Sequence, residues 1–238
     1  MSNKLLQFVA GNQYRSDSYL SSVDLHVHTN YTDGKDSVMD MHLAACEHNL
    51  SFILFSEHAR ASSISWFPFF AAEVRELPNE NCKALVGVEA RIYKYDGELD
   101  TCKEILELCD LVVASVHRFP GEENILDNKK YSSDEALELE YSLSCAALSN
   151  PHVDILGHPF GMSISRFKIE PNEQHWISLI KLANEKNVAI EINARYHRNI
   201  IGKQVTWCRQ IGTVISPSSD AHSKDQVGNI CSLIKEYL

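Results

Sequence analysis

The first residues able to do chemistry are His26 and His28, set two apart in the run Val23–Thr29 and followed shortly by Asp33 before Gly34. On an extended strand, side chains two apart share a face, so the pair can hold one metal ion together. Alone, a His-x-His is also what a core or surface pair looks like. The rest of the chain repeats the theme: His58 follows Glu57, Glu89 closes Gly87-Val88-Glu89, His117 closes Ser115-Val116-His117, His158 stands between Gly157 and Pro159, and Asp220 and His222 are again two apart. These nine residues (His26, His28, Asp33, His58, Glu89, His117, His158, Asp220 and His222) exceed what one tetrahedral zinc uses and fit two or three ions. The other five of the eleven histidines, His42, His48, His152, His175 and His197, fall in helical or loop settings and read as ordinary.

Such a set suits hydrolysis. Bound ions acidify a water, polarise the scissile group and stabilise attacking and leaving oxygens. Three divalent ions against three carboxylates and a hydroxide leave roughly +2, a match for a phosphate monoester dianion. The ligand types admit zinc, manganese or iron alike.

There are seven apolar runs, 23–29, 52–58, 83–91, 111–117, 153–159, 188–195 and 214–222, and all but 188–195 present these residues at or just past their ends. Near-continuous apolar character predicts parallel strands buried on both faces. Amphipathic runs alternate with them. One predicted helix places Met39, Leu43, Cys46 and Leu50 on its face, and another Leu99, Cys102, Leu106 and Cys109. Ser132 with Glu135 has capping-box spacing. Asn172 is placed to cap a helix burying Trp176, Leu179, Ile180 and Ala183, and Val227, Ile230, Cys231 and Ile234 predict a last helix. Over residues 64–77, Pro68 interrupts the pattern. Strand–helix alternation with polar residues at successive strand ends predicts a single-domain α/β fold, a TIM-like barrel with its site on that rim. A doubly wound sheet would offer a Gly-rich turn after the first strand, absent here. Residues 1–22 are expected to form an N-terminal arm and 23–238 the barrel.

The chain has 238 residues, 44% hydrophobic and 23% charged, enough for a full core. Its net charge of -10 counts against binding long nucleic acid, which needs cations along the phosphates. The seven cysteines contain no Cys-x-x-Cys pair and read as reduced core residues of a cytoplasmic protein. The N-terminus is too weakly apolar for a secretory signal, and no run approaches a membrane span of about 20 apolar residues.

The motifs His26-Val-His-Thr-Asn-Tyr-Thr-Asp-Gly34, Ser56-Glu-His58, Gly87-Val-Glu89, Ser115-Val-His117, Gly157-His-Pro159 and Ser219-Asp-Ala-His222 closely resemble the PHP (polymerase and histidinol phosphatase) family. The resemblance runs from residue 23 to about 230. It implies a distorted (β/α)7 barrel with a trinuclear site of zinc, manganese or iron. It implies His26, His28, Glu89 and Asp220 on the first metal, with Glu89 bridging to a second held also by His117 and His158. Asp33, His58 and His222 would hold the third. The nucleophile would be hydroxide between the first two metals, with Glu89, His117, Asp220 and His222 central to catalysis and neither Ser56 nor Ser115 needed. Arg166 and Arg195 lie in regions where histidinol phosphatases of the family carry arginines, and are expected to bind substrate phosphate; Arg60, Arg118, His197 and Arg198 are further rim candidates. Thr32 and Glu57 depart from the Ser and Asp more frequent in the family.

The expected function is hydrolysis of a small phosphorylated substrate, histidinol phosphate being one example. A nucleotide phosphodiesterase or 3′-5′ exonuclease is the alternative, and a non-catalytic metal-binding accessory protein another. An amidohydrolase also begins with His-x-His, but often bridges its metals by a modified Lys after strand four, where this chain has His117.

Overall fold

The computed structural model describes residues 4–9, 17–122 and 130–238. Seven parallel strands follow one another around the sheet in chain order: β1 (Val23–Val27), β2 (Phe52–Glu57), β3 (Lys83–Arg91), β4 (Leu111–Ser115), β5 (Ile155–Leu156), β6 (Ala189–Asn193) and β7 (Ile215–Ser218). Edge meets edge at the Val27–Ala221 bridge, where the His28 N–H donates to the Ala221 carbonyl at 2.8 Å. The sheet is thus a nearly closed barrel, as the alternating pattern predicts. Its strands are buried on both faces, which is why they are Val-, Ile- and Leu-rich rather than alternating.

Helices cover the outside: α1 (Lys4–Val9), α2 (Val38–Glu47), α3 (Phe67–Arg75), α4 (Lys103–Leu106), α5 (Ser133–Ala147), α6 (Gly161–Ser165), α7 (Glu173–Lys186), α8 (Ile201–Ile211) and α9 (Asn229–Lys235). The Ser132–Glu135 capping box forms, and Asn172 caps α7, which buries the four residues expected of it. Other expectations need correction. On α2 the buried face is Val38, Met41, His42, Ala44 and Ala45, while Met39 and Leu43 are 46% and 51% exposed. His42 turns the helix that way by donating from Nε2 to the Cys82 carbonyl at 3.0 Å. Pro68 does not interrupt a helix; it sits in the first turn of α3, where its missing N–H costs nothing. The helix expected around Leu99–Cys109 shrinks to the four residues of α4. Strand β5 is only two residues long; Gly157, just past it, still donates its N–H to the Ala114 carbonyl of β4 at 2.8 Å and packs so close that a Cβ there would meet Ser115 Oγ at 2.2 Å.

Of the N-terminal segment, the described parts pack on the barrel. Leu5 and Leu20 are buried, and the Tyr19 hydroxyl donates to the Ile215 carbonyl at 3.0 Å.

One buried carboxylate organises the loop after β5. The residue before α6, Phe160, has a left-handed backbone (φ 63°) and no side chain able to cap the helix. Glu140 of α5 does so instead, accepting from Met162 N at 3.1 Å, Ser163 N at 2.6 Å and Ser163 Oγ at 2.5 Å. Burial pushes its carboxyl up to about 7, against the pull of those donors. Glu140→Ala is therefore expected to lower unfolding free energy by about 2–4 kcal/mol, because it orphans two backbone donors. The raised acid binds more protons folded than unfolded, so its contribution falls as pH rises from its ordinary value near 4.5 through about 7. Glu140→Gln lacks that dependence, so its stability deficit should narrow over the same window in denaturant titrations.

Candidate metal centre

Glu89, on β3, points into the barrel and is the hub of the site. Its Oε1 lies 2.7 Å from His158 Nε2 and 2.9 Å from His117 Nε2. Its Oε2 lies 2.9 Å from His58 Nδ1, 3.3 Å from His26 Nε2 and 3.5 Å from His28 Nε2. The remaining residues join at the edge: Asp220 Oδ1 is 3.5 Å from His28 Nε2, and Asp33 Oδ2 is 3.4 Å from both His58 Nε2 and His222 Nε2. All nine residues singled out in the sequence therefore meet in one cluster. They come from the ends of strands β1, β2, β3, β4, β5 and β7, or from the turns just beyond.

The backbone is strained where it delivers two of them. His158 and Asp220 both have positive φ, 23° and 54°, a conformation costing roughly 1–3 kcal/mol for such residues. Their neighbours hold them there: the His158 carbonyl accepts from Gly161 N at 2.8 Å, and Asp220 faces His28 and Arg195.

The electrostatics are those of a site built for cations. Burial raises the Glu89 carboxyl, but His117, His26 and His58 outweigh it and hold the group well below the usual carboxylate range. Burial pushes His28 down to about 4, leaving a neutral imidazole. Burial opposes protonation of His58 too, yet Glu89 and Asp33 lift it to about 10. His26 Nε2, both ring nitrogens of His28, and His158 Nδ1 are buried without a hydrogen-bond partner. Buried polar atoms are normally satisfied, and divalent ions would satisfy His26 Nε2 and His28 Nε2, the two of these atoms that face Glu89. Three sets of three lie with donor atoms within 4.8 Å of one another: His26, His28 and Asp220; His58, Glu89 and His117; His28, His58 and His222. Sharing of His28 and His58 between sets makes this one continuous basin of candidate ligands. The donor chemistry fits zinc, manganese or iron.

Several residues that shape the site were not foreseen. Glu191, fully buried on β6, receives His26 Nδ1–H at 3.0 Å and Asn193 Nδ2 at 2.5 Å. This fixes the His26 tautomer with Nε2 free for a metal. A lone Glu between Ile190 and Ile192 was the available signal. Glu57 accepts from Thr29 N and Thr29 Oγ1, both at 2.7 Å, and from Thr32 Oγ1. The two departures from the family pattern, Glu57 and Thr32, are thus partners, and together they pin the turn that carries Asp33. His197, considered for the rim, is instead buried; its Nδ1 accepts from Asn193 N at 3.1 Å and its Nε2 donates to the Pro159 carbonyl at 2.9 Å.

Above the cluster opens a cavity of about 790 Å³, lined by the cluster residues Asp33, His58, Glu89, His117, His158, Asp220 and His222 and also by Lys35, Arg195, Tyr196 and Arg198. Arg195 is mostly exposed, 3.6 Å from Asp220 Oδ2 and stacked near Tyr196. Arg166 is elsewhere: it makes a two-pronged pair with Glu122, both contacts at 3.1 Å, and is nearly buried. Its fork is occupied, and it joins the loop after β5 to the loop after β4. Arg60 and Arg118 do not line the cavity among the described residues.

Removing the Glu191 contact should weaken metal binding without abolishing the fold. Glu191→Ala is expected to lower metal affinity about 10–100-fold in competition titrations with a chromogenic chelator. Glu191→Gln, which can still accept from His26, should lose less. Unchanged affinity in both variants would rule out this orienting role.

Comparison with known proteins places the geometry in a family. The PHP domain profile matches residues 24–195. DNA polymerase/3′-5′ exonuclease PolX of Bacillus subtilis is 28% identical over 220 residues, covering 87% of this chain but only 35% of that protein. A probable phosphatase of Photobacterium profundum is 28% identical over 221 residues, covering 89% of this chain and 82% of the relative; another, from Thermoanaerobacter pseudethanolicus, is 25% identical over 219 residues, covering 90% and 84%. Among solved structures, histidinol phosphate phosphatase of Lactococcus lactis, complexed with zinc, L-histidinol and phosphate, superposes with a TM-score of 0.66 at 17% identity, covering 91% of this chain and 94% of that one. With the profile covering most of its length and the ligand residues gathered in one basin, the chain belongs to the PHP domain family.

Proposed function

We propose that the protein is a metal-dependent phosphatase of the PHP type, hydrolysing a phosphate monoester of a small molecule at a trinuclear centre. The observation that carries this reading is the convergence of nine imidazole and carboxylate ligands in one cluster, seven of them lining one open cavity that Arg195 also lines. The family relationship supports it, as do the relatives named probable phosphatases.

Bound divalent ions would supply Lewis-acid polarisation of the phosphoryl oxygens and a water acidified to react near neutral pH. The protein contributes the rest. On the assignment the family resemblance implies, His26, His28, Glu89 and Asp220 would hold one ion, His117 and His158 would share Glu89 in holding a second, and Asp33, His58 and His222 would hold a third. Arg195 holds phosphate oxygens from the open side with its planar donors, kept in place by Asp220 and Tyr196. Tyr196 also lines the cavity, and burial pushes its phenol further up from its ordinary value, so it stays neutral there. Ser56 and Ser115 lie buried within strands β2 and β4, away from the cavity lining, and take no covalent part.

A second reading, phosphodiester cleavage of short nucleotides, is favoured by the relationship to PolX. Both are tested by assaying the purified protein, with manganese or zinc added, against a panel of phosphomonoesters including histidinol phosphate, and against dinucleotides and bis-p-nitrophenyl phosphate. Monoester hydrolysis is expected, abolished by chelation, restored by metal, and reduced to background in Glu89→Ala and His117→Ala with the far-ultraviolet circular dichroism retained. Activity confined to diesters supports the second reading. Activity that survives both substitutions contradicts both.

A further inference from the structure

Outside the metal cluster, the charge of the cavity lining is one-sided. Every carboxylate lining the cavity (Asp33, Glu89 and Asp220) belongs to the metal cluster. Beyond the cluster the described lining offers three cations, Lys35, Arg195 and Arg198, with neutral polar side chains such as Asn229 and Ser232. This bias stands out in a chain with 32 acidic against 22 basic residues. The cations come from different parts of the fold: Lys35 from the turn after β1, where its N–H donates to the His222 carbonyl at 2.8 Å, and Arg195 and Arg198 from the connection between β6 and α8. Lys35 and Arg198 have exposed side chains, available to a molecule entering the cavity.

The volume also exceeds what a phosphate needs. About 790 Å³ lies in the range of sites that enclose a drug-sized ligand. A phosphate seated against the metal cluster and Arg195 leaves volume for its esterified alcohol, in a cavity whose lining also carries Lys35 and Arg198. An alcohol bearing an ammonium group meets cations there and no carboxylate that is not already a metal ligand. An alcohol bearing a second anion meets charge-assisted donors.

We propose that Lys35 and Arg198 form a second anion subsite and that the physiological substrate is a phosphate monoester whose leaving group is itself anionic, through a second phosphate, a carboxylate or a sulfonate. The inference rests on the phosphatase reading and narrows it, and it disfavours amine-bearing esters such as histidinol phosphate. The reaction gains no step: water adds to phosphorus, the ester P–O bond breaks, and the alcohol leaves carrying its second anion unchanged.

A matched series tests it: the monophosphate esters of 3-hydroxypropanesulfonate, 1,3-propanediol and 3-aminopropanol, which differ at one remote group only. The expected kcat/KM order is sulfonate, then neutral, then amine. Arg198→Gln and Lys35→Gln should each lower kcat/KM for the sulfonate ester by about tenfold, the worth of one charge-assisted contact, and narrow its advantage over the neutral ester. Calorimetric titration with the corresponding non-hydrolysable phosphonates should give the same order without turnover. Equal kcat/KM across the series, or preference for the amine, overturns the subsite while leaving the phosphatase reading intact. Absence of hydrolysis of all three esters, with no difference in phosphonate binding, overturns both.

Discussion

A single carboxylate, Glu89, faces five imidazoles at the mouth of the barrel, with its nearest contacts at 2.7–3.5 Å. Burying one carboxylate is expensive unless it is paired, and gathering five imidazoles around it leaves several ring nitrogens with no hydrogen-bond partner. Divalent cations resolve both problems together: they neutralise the carboxylate and occupy the lone pairs. The rest of the fold can be understood as what is required to keep these side chains in place when protein–protein contacts alone do not satisfy them.

That requirement shows in the layer beneath the rim. Glu191 orients His26, Glu57 pins the turn carrying Asp33, and His197 ties the end of β6 to Pro159, next to His158. Glu140 caps α6 from a neighbouring helix, and Glu122 with Arg166 clasps the loops after β4 and β5, which carry His117 and His158. Buried polar groups of this kind add little to stability on their own and cost much when a partner is removed. Their concentration around the strand ends explains how His158 and Asp220 persist in strained backbone conformations.

The ligand set was legible in the sequence because its chemistry is restrictive. Few residue types bind such metals, and period-two spacing on strands puts His26 with His28 and Asp220 with His222. The strand order was legible for a similar reason, since doubly buried strands are written in apolar runs. What escaped was relational. Arg166 looks like a free phosphate fork until Glu122, 44 residues earlier, is seen to fill it. Glu191 reads as one acid in an apolar strand because its partner His26 is 165 residues away. The α2 face was misplaced because the polar His42 belongs to the buried side through its bond to Cys82. Pro68 reads equally as a breaker or as a first-turn residue until the chain on either side is placed.

The central claim, that the Glu89 cluster exists to hold several divalent ions, is tested most directly by counting them. Protein loaded with zinc or manganese, dialysed and measured by inductively coupled plasma mass spectrometry should retain about two to three ions per chain, and Glu89→Ala should retain measurably fewer. Retention of less than about one ion per chain by the folded wild-type protein, or an unchanged count in the variant, would contradict the account.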